Sequence, residues 1–287
     1  MLSPFGAQKL ILGGHTFLEE LGNDPAASPD EQIAVVSACL EGGVRVVDTT
    51  YAVERRGLRT VLMAIDDPGI RPVIWNFFDH PEMDGNLPGP DPWTDERFEQ
   101  ALVELGLTEA PFVVVHAVGD AVADRAQIEV VRRLREEGRI THLGFWANLD
   151  ADSKQGREAL LQWDRFLEVE NLWRFVVTPW NVMTYRENAE ILKVAKAQGW
   201  TTLGTSPFVR GWELERRAVR VAGIRQIGLS AAVAQVADHM LRFSAFSPGV
   251  DHVVNAIRAR RHVRPNLESI RQGPLAPNER EWILGLG

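Results

Sequence analysis

The sequence holds a single cysteine, Cys39, among its 287 residues. No disulfide can form within one chain. Cys39 lies among Val35, Val36, Ala38 and Leu40, the surroundings of a small core residue and not of a nucleophile. A chain this long buries a core that needs no disulfide or metal staple. Long apolar runs are missing too. None approaches the ~20 residues of a membrane span, and no signal-peptide pattern opens the chain. The cytoplasm is therefore the expected compartment, with no membrane partner. Cations are in deficit: 31 Lys and Arg face 39 Asp and Glu, for a net charge of −8. That balance speaks against nucleic acid as a partner, because phosphate backbones need clustered cations. Lysine is scarce, with only Lys9, Lys154, Lys193 and Lys196, and tyrosine scarcer, with only Tyr51 and Tyr185. There is no GxxxxGK[ST], HExxH, CxxC or GxSxG motif.

What is present is an alternating pattern. Eight short apolar runs read as strands buried on both faces: KLILGG (9–14), VRVVD (44–48), PVIWNF (72–77), PFVVVHA (111–117), ITHLGFW (140–146), RFVVTPW (174–180), TTLGTS (201–206) and DHVVNA (251–256). Helical patterns separate them. The first has Ser28 as cap, Pro29 at the first position and Gly42 as stop; another starts at Thr94 and stops at Gly106. Further helices are expected from Glu54 to Ile65, Asp124 to Gly138, Lys154 to Val169, Tyr185 to Gly199, Leu229 to Phe243 and Val263 to Gln272. Eight strands alternating with eight helices predict one α/β domain over residues 1–287, a (β/α)₈ TIM barrel. Segments 78–93 and 207–228 read as long loops on the face where the strands end.

In such a barrel the chemistry gathers at the C-terminal strand ends. Asp48 and His116 are the acid–base candidates there. They lack an obvious third ligand for a metal. Nine tryptophans are many for this length. Trp75, Trp146 and Trp180 fall at strand ends, either as packing or as walls of a pocket for a flat or apolar ligand, with His15 nearby. Arg258, Arg260, Arg261 and Arg264 follow the last strand, either as a solvated face or as a phosphate grip, with Ser206 and Arg210 on the neighbouring loop.

Six segments in order resemble the aldo-keto reductase family: LILGG, GVRVVDTTYA, WTDERFEQALVELGLTEAPFVVVHA, EEGRITHLGF, VVTPWNVMTYRENAEILKVAKAQGWTTLGTSPFVRG and PGVDHVVNAIRARRHVRPNLESI. The resemblance implies hydride transfer from NADP(H) to a small carbonyl substrate, or the reverse from an alcohol. It implies a site of aspartate, tyrosine, lysine and histidine. Asp48 matches the aspartate and His116 the histidine. Val53 stands at the tyrosine position and Asn76 at the lysine position, and no lysine exists between residues 10 and 153. Tyr51 is then the one tyrosine near enough to act as acid. Asp48, without its lysine, must be solvated, bonded to Asn76 or a loop amide, paired with an arginine such as Arg55, or protonated. For the cofactor the resemblance points to Trp180 and Asn181 at the nicotinamide and Asn148 at the carboxamide. It assigns Ser206 and Arg210 to the pyrophosphate, and Arg258, Arg264 and Asn266 to the adenosine phosphate. The expected protein is an atypical reductase. A lyase or isomerase using Asp48 and His116, or an inactive ligand-binding relative, are the alternatives.

Overall fold

The computed structural model describes residues 3–19, 26–65, 69–79, 89–149, 163, 165–169, 171–209 and 211–286. Eight parallel strands close into a barrel in sequence order: β1 (Leu10–Leu12), β2 (Val46–Tyr51), β3 (Arg71–Phe77), β4 (Ala110–Val115), β5 (Ile140–Trp146), β6 (Phe175–Pro179), β7 (Thr201–Thr205) and β8 (His252–Asn255). β1 pairs with both β2 and β8, so no edge remains. Each of the eight expected strands lies where the apolar runs predict.

The helices form the outer layer. Those described are α1 (Pro29–Glu41), α2 (Ala52–Ile65), α3 (Asp95–Leu105), α4 (Ala121–Glu136), α5 (Ala189–Gln198), α6 (Gly211–Arg225), α7 (Leu229–Phe246), α8 (Val263–Gln272) and α9 (Pro277–Leu284). The caps work as read. Ser28 Oγ accepts from Glu31 N, Thr94 Oγ1 accepts from Arg97 N, and Gly106 ends α3 in the left-handed conformation. Of the helix expected over 154–169, only Trp163 and residues 165–169 are described, and Trp163 and 165–167 are helical.

The loop expected over 207–228 is a correction: most of it is the helix α6. Its arginines are not all solvated. Arg217 is fully buried, donates to Glu213 Oε1 at 2.6 Å, and donates to the Ile283 carbonyl at 2.8 Å, tying α6 to α9. Leu214, Ala218, Val221 and Ala222 supply the apolar face between these charges.

Two apolar layers result from the period-two alternation of the strands. Outward-facing residues such as Val47, Ile74, Val113, Leu143, Phe145 and Val176 pack under the helices. Inward-facing residues, among them Val46, Val73, Trp75, Phe77, Phe112, Val114, Phe175 and Val177, fill the barrel. Phe5 closes the N-terminal end, stacked on Phe112 at 4.3 Å and edge-on to Phe175 at 5.0 Å. Gly144 makes room for this filling, since a Cβ there would overlap the Phe175 ring. The interior is thus packed at the N-terminal end, and the candidate site lies at the other end, where β2 to β6 finish. No helix among the described residues is long and apolar enough to cross a membrane.

Candidate active site

The mouth of the barrel begins on β2. Asp48 faces inwards like Val46. The pairing register with β3 shifts between Thr49 and Tyr51. That irregularity lets Tyr51 also face inwards although it lies an odd number of residues from Asp48. Asp48 is buried. Its Oδ1 accepts from the Trp75 indole N–H at 2.6 Å and its Oδ2 from the Thr50 hydroxyl at 3.3 Å. Burial, the Trp75 and Thr50 hydrogen bonds notwithstanding, pushes its carboxyl up to about 7, and the Glu54 charge adds to the rise.

Asp48 does not cap α2. Glu54, in the first turn of that helix, does the satisfying instead. Its Oε2 accepts from Thr50 N at 2.7 Å and Tyr51 N at 3.1 Å, while its Oε1 bonds His15 Nδ1 at 2.7 Å. Glu54 is fully buried. Gly14 makes its position possible: a Cβ at residue 14 would overlap the Glu54 carboxylate. His15 itself sits in the short turn Gly14–Phe17 after β1, with its side chain 40% exposed. Burial lowers its pKa, but the Glu54 hydrogen bond and charge, with Asp48's charge, win and raise it above the usual imidazole value.

The rest of the mouth is aromatic. Tyr51 stacks with His15 at 6.2 Å and meets Phe77 edge-on at 5.4 Å. Phe77 meets His116 edge-on at 5.3 Å, and His116 stacks on Trp146 at 5.9 Å. Trp146 lies 5.6 Å from Trp75. The indole N–H of Trp146 is buried and has no hydrogen-bond partner among the described residues. Such an orphan donor suits a ligand oxygen. His116 Nδ1 lies 2.9 Å from the Ala117 carbonyl. A carbonyl only accepts, so Nδ1 carries the proton and Nε2 is an acceptor. Burial holds this imidazole down to about 4, neutral at physiological pH. Burial and the Glu54 charge push the Tyr51 phenol well above its usual value.

Several expected residues stand elsewhere. Asn76 is on the outward face of β3. It donates to the Asp91 and His116 carbonyls at 2.7 and 2.8 Å and accepts from His116 N at 2.8 Å, so it joins strands and does not meet Asp48. Arg55 does not pair with Asp48 either. It is fully buried on Glu104 at 2.6 Å and donates to the Thr50, Trp75 and Phe77 carbonyls. Trp180 points outwards from β6 and packs with Leu192 and Val250, edge-on to Tyr185 at 6.5 Å, away from any ring at the mouth. Asn181 accepts from Met183 N and Thr184 N and so shapes its own turn. Asn148 is buried just past β5.

At the phosphate end, Ser206 is exposed with φ 57° after β7. Arg210 lies outside the described residues. Arg258 donates to the His15, Leu18 and Glu19 carbonyls, so it anchors the β1 loop. Arg260 and Arg261 are exposed in the short turn before α8, and Arg264, in the helix's first turn, pairs with Glu268 at 2.7 Å on the surface. Asn266 donates to the His262 carbonyl. Three exposed guanidinium groups at a helix start form a donor set that fits nucleotide phosphates. The orphan Trp146 donor fits the polar end of a bound ring. Among the described residues no cluster of His, Cys, Asp or Glu is placed to hold a metal.

The chain is a closed α/β barrel with titratable side chains and rings gathered at its C-terminal strand ends. More narrowly, this is the aldo-keto reductase fold. A holo-form aldo-keto reductase from Bacillus halodurans superposes with a TM-score of 0.70 at 15% identity, covering 99% of this chain and 94% of that one. The glycerol dehydrogenase of Gluconobacter oxydans superposes at 0.67 and 14% identity, covering 96% and 90%. No family model matches the chain, and no curated protein matches it in sequence. At these identities the likeness is one of fold.

Proposed function

We propose that the chain is one barrel domain that acts as an oxidoreductase on a small carbonyl or alcohol substrate with NADP(H). The observation that carries this reading is the mouth itself, where Asp48, Glu54 and His15 stand against a wall of Tyr51, Phe77, His116 and Trp146. The fold shared with a holo-form reductase supports it. The cofactor would supply a hydride. Arg260, Arg261 and Arg264 would hold its phosphates with Ser206, and Trp146 and Asn148 would meet its ring end. Among the described residues the wall offers rings and no cation, which suits an uncharged, ring-bearing substrate. His116 Nε2 is an acceptor and does not protonate the substrate, because its imidazole is neutral and its one proton faces Ala117. Asp48 sits beneath as a buried acid, held by a neutral indole where a cation would keep it ionised.

NADPH should quench the tryptophan fluorescence of the protein. Arg264→Ala should weaken NADPH about tenfold, the scale of one charged hydrogen bond, and NADH less. Equal weakening of both would remove Arg264 from a 2′-phosphate site. Absence of any quenching would contradict the cofactor reading.

A further inference from the structure

We infer that His15, oriented by Glu54, exchanges the substrate proton at the mouth. This rests on the reading of the site as one for carbonyl or alcohol chemistry. No tyrosine–lysine pair stands there among the described residues. Among the described residues each alternative is disfavoured. His116 presents a lone pair, not a proton. Both Asp48 oxygens are engaged, by Trp75 and by Thr50. Tyr51 is buried against Phe77 and His15, beside the Glu54 carboxylate that disfavours a phenolate.

His15 has what the others lack. Its Nδ1–H is fixed on a carboxylate, so Nε2 is the atom left to give or take a proton. Its ring reaches solvent for reprotonation, with its side chain 40% exposed. Its support is rigid. Glu54 is held by two backbone amides besides His15, and only a glycine at 14 admits the carboxylate. The loop carrying the ring is clamped by Arg258 on the His15 carbonyl at 2.8 Å. Among the described residues the charged and titratable groups around the ring are Glu54 from α2, Asp48 and Tyr51 from β2, and Arg258 after β8. The two carboxylates favour the imidazolium and Arg258 opposes it, with the carboxylates prevailing.

In the reduction direction the carbonyl carbon gains a hydride from a reduced nicotinamide. The C=O π pair moves to oxygen and takes the proton from His15 Nε2. His15 is left neutral, its Nδ1–H still on Glu54, and recovers a proton from water. In oxidation Nε2 takes the hydroxyl proton as hydride leaves carbon. Glu54 is a positioning residue in both.

The test combines nitrogen NMR of the histidine rings with kinetics on wild type, His15→Gln and Glu54→Gln. One ring, absent in His15→Gln, should titrate above the usual imidazole value and keep its proton on Nδ1 when neutral. In Glu54→Gln that ring should titrate lower. kcat/KM for NADPH-dependent reduction of an aromatic aldehyde should fall about 10²–10⁴-fold in His15→Gln, with NADPH affinity unchanged. Glu54→Gln should shift the pH profile in step with the ring's pKa. An unchanged kcat/KM in His15→Gln, or a ring indifferent to Glu54→Gln, would overturn the inference. NADPH that fails to bind wild type would instead overturn the functional reading, and the ring titration would still report on the pair.

Discussion

Replacing Arg55 with methionine is expected to remove about 3–5 kcal/mol of stability, the cost of breaking a buried ion pair from one side. Arg55 is fully buried and bonded to Glu104, itself 9% exposed. Its fork also satisfies the carbonyls of Thr50, Trp75 and Phe77. Methionine fills much of the volume but leaves three carbonyls and a carboxylate short of donors. Arg56 and Gln100, at 3.3 and 3.0 Å from Glu104 Oε1, compensate in part. The functional consequence follows from position. Those carbonyls belong to the residues that place Trp75 and Phe77 at the mouth, so substrate affinity should fall with stability. Urea unfolding measures the first effect. Adding Glu104→Leu should recover part of the loss, because the orphaned charge leaves with it. A loss below about 1 kcal/mol, the range of an exposed pair, would contradict the buried role.

Asp48→Asn should change how stability depends on pH more than it changes stability at acid pH. The carboxyl ionises near 3.8 in the unfolded chain and is pushed up to about 7 in the fold. Between those values the folded state holds the extra proton, so wild-type stability falls as pH rises from about 4 to about 7. At higher pH the folded state bears an ionised, buried Asp48. Asparagine keeps an acceptor for the Trp75 indole and cannot ionise. The variant should therefore match wild type near pH 4 and exceed it above pH 7 by on the order of 4 kcal/mol, since one pKa unit is 1.36 kcal/mol. Parallel pH curves for the two proteins would show that Asp48 is ionised in the fold from the start. The gain in stability should accompany a fall in activity, because the Asp48 charge is one of the two that favour the His15 imidazolium.

The barrel was legible because its strands are continuous apolar runs and its helices carry caps that can be read. α6 was not, because its arginines resemble a solvated loop. What distinguishes it is the spacing of Leu214, Ala218 and Val221, and the four-residue step from Glu213 to Arg217. Asp48, Tyr51, His116, Trp75 and Trp146 were all expected at strand ends, and they do gather at one mouth. Asn76 and Trp180 face outwards, which their position on the strand decides by parity. Both faces of these strands are apolar, so the sequence offers no contrast to tell inward from outward. Once Val73 and Phe175 are known to face in, Asn76 and Trp180 must face out. Glu54 went unseen because a glutamate at a helix start normally faces water. Its signal is the neighbouring Gly14, whose need for a missing Cβ appears only in three dimensions. The resemblance to reductases implies a cation against Asp48, and the structure places the Trp75 indole N–H there.

The most direct test of the account is NADPH consumption, followed by absorbance, with a panel of aromatic aldehydes and ketones and the wild-type protein. The account predicts NADPH oxidation that depends on substrate, with one alcohol formed per NADPH consumed. NADPH that binds without any turnover, or substrate conversion that proceeds with no dinucleotide present, would contradict it.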